Sequence, residues 1–179
     1  MSSAKVVYFL RHGETEYNRI GVFSGITNVP INITGVSQSR SASLLLSSRG
    51  IKEIWCSPLL RARQTAEIVA CHLNLNIMII NDLSERDCGE WEGKSKIGVN
   101  RSLTPPNGET EFCLQQRVKR VIKLIADAET TQPILLVSHA GVYREINKLI
   151  SHNAIPESTI RAENGVPIQI SIPMTMPHI

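Results

Sequence analysis

The chain has 179 residues, 42% of them hydrophobic and 20% charged, a balance that suits one globular domain spanning 1–179 and disfavours disorder. A net charge of +3, with only three Phe, three Tyr and two Trp, supplies neither the concentrated basic patch nor the stacking platform of a nucleic-acid binder. No apolar run reaches the roughly 20 residues of a membrane span, and Arg11 and His12 interrupt the first one at once, so a cytoplasmic protein with no membrane partner is expected.

In chain order, Val6 to Leu10 is a continuous apolar run of β-formers, as in a strand buried on both faces. A helix is predicted from Thr34-Gly35 through Ser48, ended by Arg49-Gly50. Ile51 to Cys56 reads as a second strand, stopped by Ser57-Pro58. Arg61 to Leu75 follows as a helix, with Ala62, Thr65, Ala66, Val69 and Leu73 at three- and four-residue spacing. Ile77 to Ile80 is a short third strand. Glu109 to Ala128 is the longest helix, with Phe112, Val118, Val121, Ile122 and Ile125 expected inward. Pro133 to Val137 makes a fourth strand, Ala140 to Ser151 a helix, and Ile168 to Ile172 an alternating late strand; Pro173 to Ile179 reads as a loose tail. Strands alternating with helices predict an α/β sandwich around a mainly parallel sheet. The weakly patterned stretch Lys94 to Asn107 is a candidate flap. Four widely spaced cysteines without a C-x-x-C pair read as reduced structural thiols.

Two strands end alike: "YFLRHG" (Tyr8 to Gly13) and "LLVSHAG" (Leu135 to Gly141) each run into a histidine followed by small residues. Ligands of open α/β sheets bind at the carboxyl ends of parallel strands, so His12 and His139 are expected to face each other across one pocket. After the second strand, Arg61 and Arg63 stand at a helix start, where cations oppose the helix dipole. A bound anion gripped by Arg61 and the free amides relieves that conflict, whereas Arg63 is expected to point to water. After the third strand, "LSERDCGEWEGK" places Glu85 near the strand end, suited to donate a proton beside a bound phosphate, whose charge raises a carboxyl pKa. Glu90 and Glu92 are expected on the loop surface.

Other chemistries find no support. "GEWEGKS" has three rather than four residues between its glycines, and two glutamates that repel phosphate, so it is not a P-loop. His12-Gly13-Glu14 lacks the P-C-x-x-C of zinc deaminases, and no G-x-S-x-G elbow occurs. With three aspartates and no acidic cluster, chemistry without a metal or cofactor is expected.

Arg11-His12-Gly13-Glu14-Thr15, Ser57-Pro58-x-x-Arg61-Ala62-x-x-Thr65-Ala66, Leu83-x-Glu85 and Val137-Ser138-His139-x-Gly141 together resemble the histidine phosphatase superfamily, which includes the cofactor-dependent phosphoglycerate mutases. The resemblance runs from about Val6 to Ile150 and implies a three-layer α/β/α sandwich working through a phosphohistidine. It implies that His12 is the nucleophile, that Arg11, Arg61 and His139 hold the phosphoryl oxygens, and that Glu85 protonates the leaving oxygen and then activates water. By the same resemblance Asn18, Ser24 and Gly25 contact the phosphate or substrate.

Mutases of this family carry a longer insertion in the flap region and a longer tail, so the resemblance implies a phosphatase acting on a small phosphorylated substrate. "NGETEFCLQQRV" with "FSGITNVPINITG" looks most like ribazole-phosphate phosphatases and related broad-specificity members. Few aromatics are present to stack a benzimidazole-like ring, while Lys94, Lys96 and Arg101 equally favour a compact acidic phosphoester. A phosphoglycerate mutase, a phosphatase of phosphohistidine or phosphoserine in proteins, and a non-catalytic phosphate binder are the other readings.

Overall fold

The computed structural model describes residues 4–100, 103–151, 154, 156 and 159–174. Five strands form one sheet: β1 (Ala4–Arg11), β2 (Glu53–Cys56), β3 (Ile77–Ile79), β4 (Ile134–Ser138) and β5 (Pro167–Pro173), in the order β3-β2-β4-β1-β5. The first four are parallel, and β5 closes the β1 edge antiparallel. Successive side chains of a strand point to opposite faces, and both faces are apolar here. Val7, Phe9, Trp55 and Leu136 pack under α4 (Glu111–Asp127) and α5 (Ala140–Ile150). Tyr8, Leu10, Ile54, Leu135 and Val137 pack under α2 (Ile33–Leu46) and α3 (Leu60–Leu73). The result is the three-layer sandwich that the alternation and the family resemblance implied. All five β4 residues are buried, and each large apolar side chain there contributes about 2 kcal/mol; a charge in place of Leu136 would break the layer under α4 and α5.

The helices follow their sequence signals. Asn32 caps α2 by accepting the Gly35 amide at 2.9 Å, and Thr110 caps α4 by accepting the Cys113 amide at 3.1 Å. In α4 the buried stripe is Leu114, Val118, Val121, Ile122 and Ile125. Phe112 is a correction: two positions before Leu114 it lies about 200° around the helix, and it is 68% exposed. A one-turn helix, α1 (Glu16–Arg19), went unread; Thr15 and Asn18 close it with a reciprocal capping box. Among the described residues no helix is long and apolar enough to cross a membrane.

The predicted flap is anchored at both ends. The Lys96 amide donates to Gly21 and the Phe23 amide to Lys94, while the Glu90 amide donates to Pro106. Arg101 lies outside the described residues, as does the predicted tail from residue 175; Pro173 is not tail, since it pairs with Ala4 in the sheet.

Candidate active site

The register of β1 on β4 pairs Arg11 with Ser138. The next residue of each strand is therefore a neighbour too, and the His12 and His139 rings lie 5.1 Å apart at 56°. The sheet brings the two histidines together, but not across a pocket as expected: the rings adjoin, and only His12 borders the cavity. The His12 ring is 3% exposed, and its Nδ1 is 2.7 Å from the Gly13 carbonyl. A carbonyl only accepts, so Nδ1 carries the proton and Nε2 keeps a lone pair. Arg61 Nε donates to that Nε2 at 3.3 Å. Burial, then the charges of Arg61 and Arg11, hold the His12 pKa well below 6.5, so the ring is neutral.

Arg61 is 1% exposed. Its Nη2 donates to the Gly25 carbonyl at 2.7 Å and its Nη1 to the Thr27 carbonyl at 2.9 Å. Burial lowers its pKa, while the carboxylates of Glu85 and Glu92 oppose that shift; a guanidinium stays charged regardless. Most of the amides expected to grip an anion at this helix start are used by the protein itself. The Leu60 amide is taken by Asn28 Oδ1 at 3.0 Å and the Leu59 amide by Ser57 Oγ at 3.2 Å, while the Ala62 and Arg63 amides turn back to Leu59. Arg61 thus meets the site through its side chain, and Arg63 is exposed beside Glu67, as expected.

Arg11 borders the same cavity and donates from Nη1 to the Ala162 carbonyl at 2.9 Å. Burial lowers its pKa and Glu85 opposes the shift. His139 is fully buried behind His12 and does not border the cavity. Its Nε2 lies 2.7 Å from Ser57 Oγ, and its Nδ1 has no hydrogen-bond partner among the described residues. Burial, then Arg61 and His12, push its pKa well below 6.5.

Glu85 enters the cavity from the loop after β3, with Oε1 accepting the Arg86 amide at 2.9 Å and Oε2 the Gly141 amide at 3.1 Å. Arg117 pins that loop, donating to the Asp82 and Ser84 carbonyls at 2.8 and 2.6 Å while bound to the Glu109 carboxylate. Glu90 is exposed, as expected. Glu92 is not simply on the surface: half-buried, it accepts the amides of Ile26, Thr27 and Cys88.

Asn18, Ser24 and Gly25 all border the cavity. Asn18 uses its oxygen on the Thr15 amide and Asn164, both at 3.2 Å. Ser24 Oγ is buried with no partner among the described residues. Gly25 serves through its carbonyl on Arg61. Sequence reading missed Asn164, whose Nδ2 also donates to the His12 carbonyl at 2.8 Å; the Asn164-Gly165 dipeptide, a turn signal just before the late strand, marked it. It also missed Arg86, Arg144 and Arg161 on the cavity wall.

The cavity measures about 960 Å³. Seven Lys and Arg side chains border it against four carboxylates, Glu85, Glu111, Glu145 and Glu163. That excess of three equals the net charge of the whole chain, so the rest of the molecule is balanced and the positive potential gathers here.

Fold and cavity define the class: an α/β protein with a cation-rich cavity at the carboxyl ends of its parallel strands. The chain belongs to the histidine phosphatase superfamily (branch 1), which matches residues 7–164. It is 31% identical over 150 residues to the adenosylcobalamin/alpha-ribazole phosphatase of Escherichia coli K12, covering 76% of this chain and 74% of the relative. A crystal structure of a candidate alpha-ribazole-5'-P phosphatase from Escherichia coli K-12 superposes with a TM-score of 0.82 at 30% identity, covering 95% of this chain and 91% of that one. A phosphoglycerate mutase from Thermus thermophilus superposes with a TM-score of 0.75 at 26% identity, covering 92% of each chain. The resemblance carried by the four sequence blocks therefore holds, and the family together with its phosphatase-named relatives makes the chain a phosphoric monoester hydrolase.

Proposed function

We propose that the chain hydrolyses a small phosphomonoester in two steps through a phosphohistidine on His12. The observation that carries this reading is the setting of the His12 ring, with Nδ1 2.7 Å from the Gly13 carbonyl and Nε2 3.3 Å from the Arg61 guanidinium. In the first step Nε2 attacks phosphorus, the bond to the ester oxygen breaks, and Glu85 gives its proton to the departing alcohol. In the second, the Glu85 carboxylate takes a proton from water, whose oxygen displaces the imidazole and releases inorganic phosphate. Arg11 and Arg61 balance the charge on the phosphoryl oxygens, which is where most of the acceleration arises in this type of transfer. Ser57 Oγ already accepts the Leu59 amide; donating its own proton to His139 Nε2 leaves Nδ1 of that ring as an unpaired N–H donor beside His12. Ser24 Oγ and the Asn18 amide group supply further donors.

Hydrolysis rather than mutase chemistry is favoured by the short segment 94–107, too small to seal a bisphosphate from water while it turns over. The charge excess of the cavity favours an acidic phosphoester. A second reading, an alpha-ribazole-type substrate as in the name of the Escherichia coli relative, is favoured by Phe23 and Trp91. Their rings lie 5.5 Å apart on the cavity wall, where an aromatic base could lodge. The test is a panel of acidic, neutral and ring-bearing metabolite phosphates, read by phosphate release, beside a 2- to 3-phosphoglycerate isomerisation assay. Release without isomerisation is expected; isomerisation outrunning release would overturn the phosphatase reading.

A further inference from the structure

The sequence "GEWEG" (Gly89 to Gly93) looked like a failed phosphate loop, and the reaction above gives its second glutamate nothing to do. Glu92 does not border the cavity. Its carboxylate instead joins two loops. Oε1 accepts the Ile26 amide at 2.8 Å and the Cys88 amide at 3.2 Å; Oε2 accepts the Thr27 amide at 2.9 Å and the Thr27 hydroxyl. A carboxylate can accept about four such bonds, so this one is fully used by the protein.

What those bonds hold is the backbone that holds Arg61. The carbonyls of Gly25 and Thr27 flank the two amides on Glu92, and they receive Nη2 and Nη1 of Arg61 at 2.7 and 2.9 Å. The guanidinium is planar, so two fixed acceptors fix its plane, and with it the Nε that meets His12 Nε2 at 3.3 Å. One N–H on each Nη is left over from these bonds for phosphoryl oxygens. Gly25 has φ +47°, and a Cβ there would come within 1.8 Å of Glu92 Oε1. The carboxylate fills the space that any other residue at this position would need, so the loop and Glu92 are fitted to each other. The Cys88 bond extends the same anchor to the loop that carries Glu85.

We propose that Glu92 is a positioning residue for phosphoryl transfer: its carboxylate locks the Gly25–Thr27 backbone, which in turn aims the Arg61 guanidinium at the phosphoryl group and at His12. The inference rests on the phosphatase reading of the site and deepens it.

The test is a double-mutant cycle of Glu92→Gln with Arg61→Ala, read by the affinity for inorganic phosphate, by calorimetry, and by kcat/KM on 4-nitrophenyl phosphate. The Gln amide is nearly the shape of the carboxylate but turns a donor toward groups that are themselves donors. In the native background Glu92→Gln lowers kcat/KM by about 100-fold, the size expected of a misplaced catalytic group, and weakens phosphate binding about tenfold. In the Arg61→Ala background the same change alters phosphate binding by less than about threefold, because the group it aims is gone. Thr27→Val, at an exposed position, removes only the hydroxyl bond and keeps the test alive if Glu92→Gln folds poorly. It should lower kcat/KM several-fold with Arg61 present and leave phosphate binding unchanged without it. Equal losses in both backgrounds, or native values for both variants, overturn the role given to Glu92. If Arg61→Ala itself leaves phosphate binding at the native value, the site assignment fails instead.

Discussion

The amide of Gly141 donates to Glu85 Oε2 at 3.1 Å, and a Cβ at residue 141 would stand 2.2 Å from Glu85 Oε1. The start of α5 and the carboxylate proposed to move the proton are thus in direct contact, across a gap that only a glycine leaves open. Gly141→Ala should push Glu85 out of place, lowering kcat on alkyl phosphates about 10- to 100-fold. Its thermal midpoint should hold, since Ala is the better helix former. Steady-state kinetics beside thermal melts would check this; unchanged kcat would detach Glu85 from the chemistry.

Glu85→Gln separates proton donation from binding. An alkyl leaving group needs the proton and a nitrophenolate hardly does, so the variant should slow alkyl phosphates by about 10² to 10⁴ and 4-nitrophenyl phosphate far less. The ratio of the two rates in native and variant protein is the measurement. Equal slowing would contradict the acid role.

The two histidines also set a pH dependence of stability. Burial and neighbouring cations hold both folded pKa values well below 6.5, while the unfolded rings titrate near about 6.5. Below that pH the unfolded chain binds protons that the folded chain refuses. Their contribution is therefore fully present above about pH 6.5 and is lost as pH falls toward the folded values, by up to about 1.4 kcal/mol per pH unit for each ring. Urea midpoints between about pH 5 and 7.5 should show this slope, and His12→Gln should flatten it. An equally steep slope in that variant would mean that His12 is not the neutral ring described.

Arg61 is the largest charge acting against protonation of His12, after burial itself. Arg61→Met should therefore move the acid limb of the kcat/KM profile upward in pH, besides lowering its height. A limb that stays in place would show that the charge of Arg61 does not reach the ring.

Chelation gives a simple contrast. Arg11 and Arg61 border the cavity as the groups proposed to neutralise the phosphoryl oxygens, and among the described residues no three His, Cys, Asp or Glu side chains gather to hold a metal. Prolonged treatment with a strong chelator should leave turnover unchanged. Loss restored by added divalent metal would contradict the roles given to the two arginines.

Much of this was legible in the chain because it depends on local pattern. The continuous apolar run records the burial of Val7 to Leu10, though not of the exposed Val6, and the stripe Val118, Val121, Ile122 and Ile125 records its buried face in its spacing. His12 and His139 stood out because each ends an apolar strand. What the sequence could not display is set by contacts between remote segments. The register that brings the two rings to 5.1 Å comes from pairing across more than 120 residues. The aim of Arg61 comes from carbonyls in a loop more than thirty residues earlier, and Asn164 reaches back to His12 from beyond α5. Phe112 misled because apolar type alone says nothing about which side of the helix a residue takes.

The proposed reaction passes through a covalent phosphoryl group on His12 Nε2. Native protein quenched during turnover of a labelled phosphoester should carry acid-labile, base-stable phosphate, mapped by mass spectrometry to the peptide containing His12. His12→Ala should carry none and lose turnover. Full turnover by His12→Ala, or acid-stable label on another residue, would contradict the account.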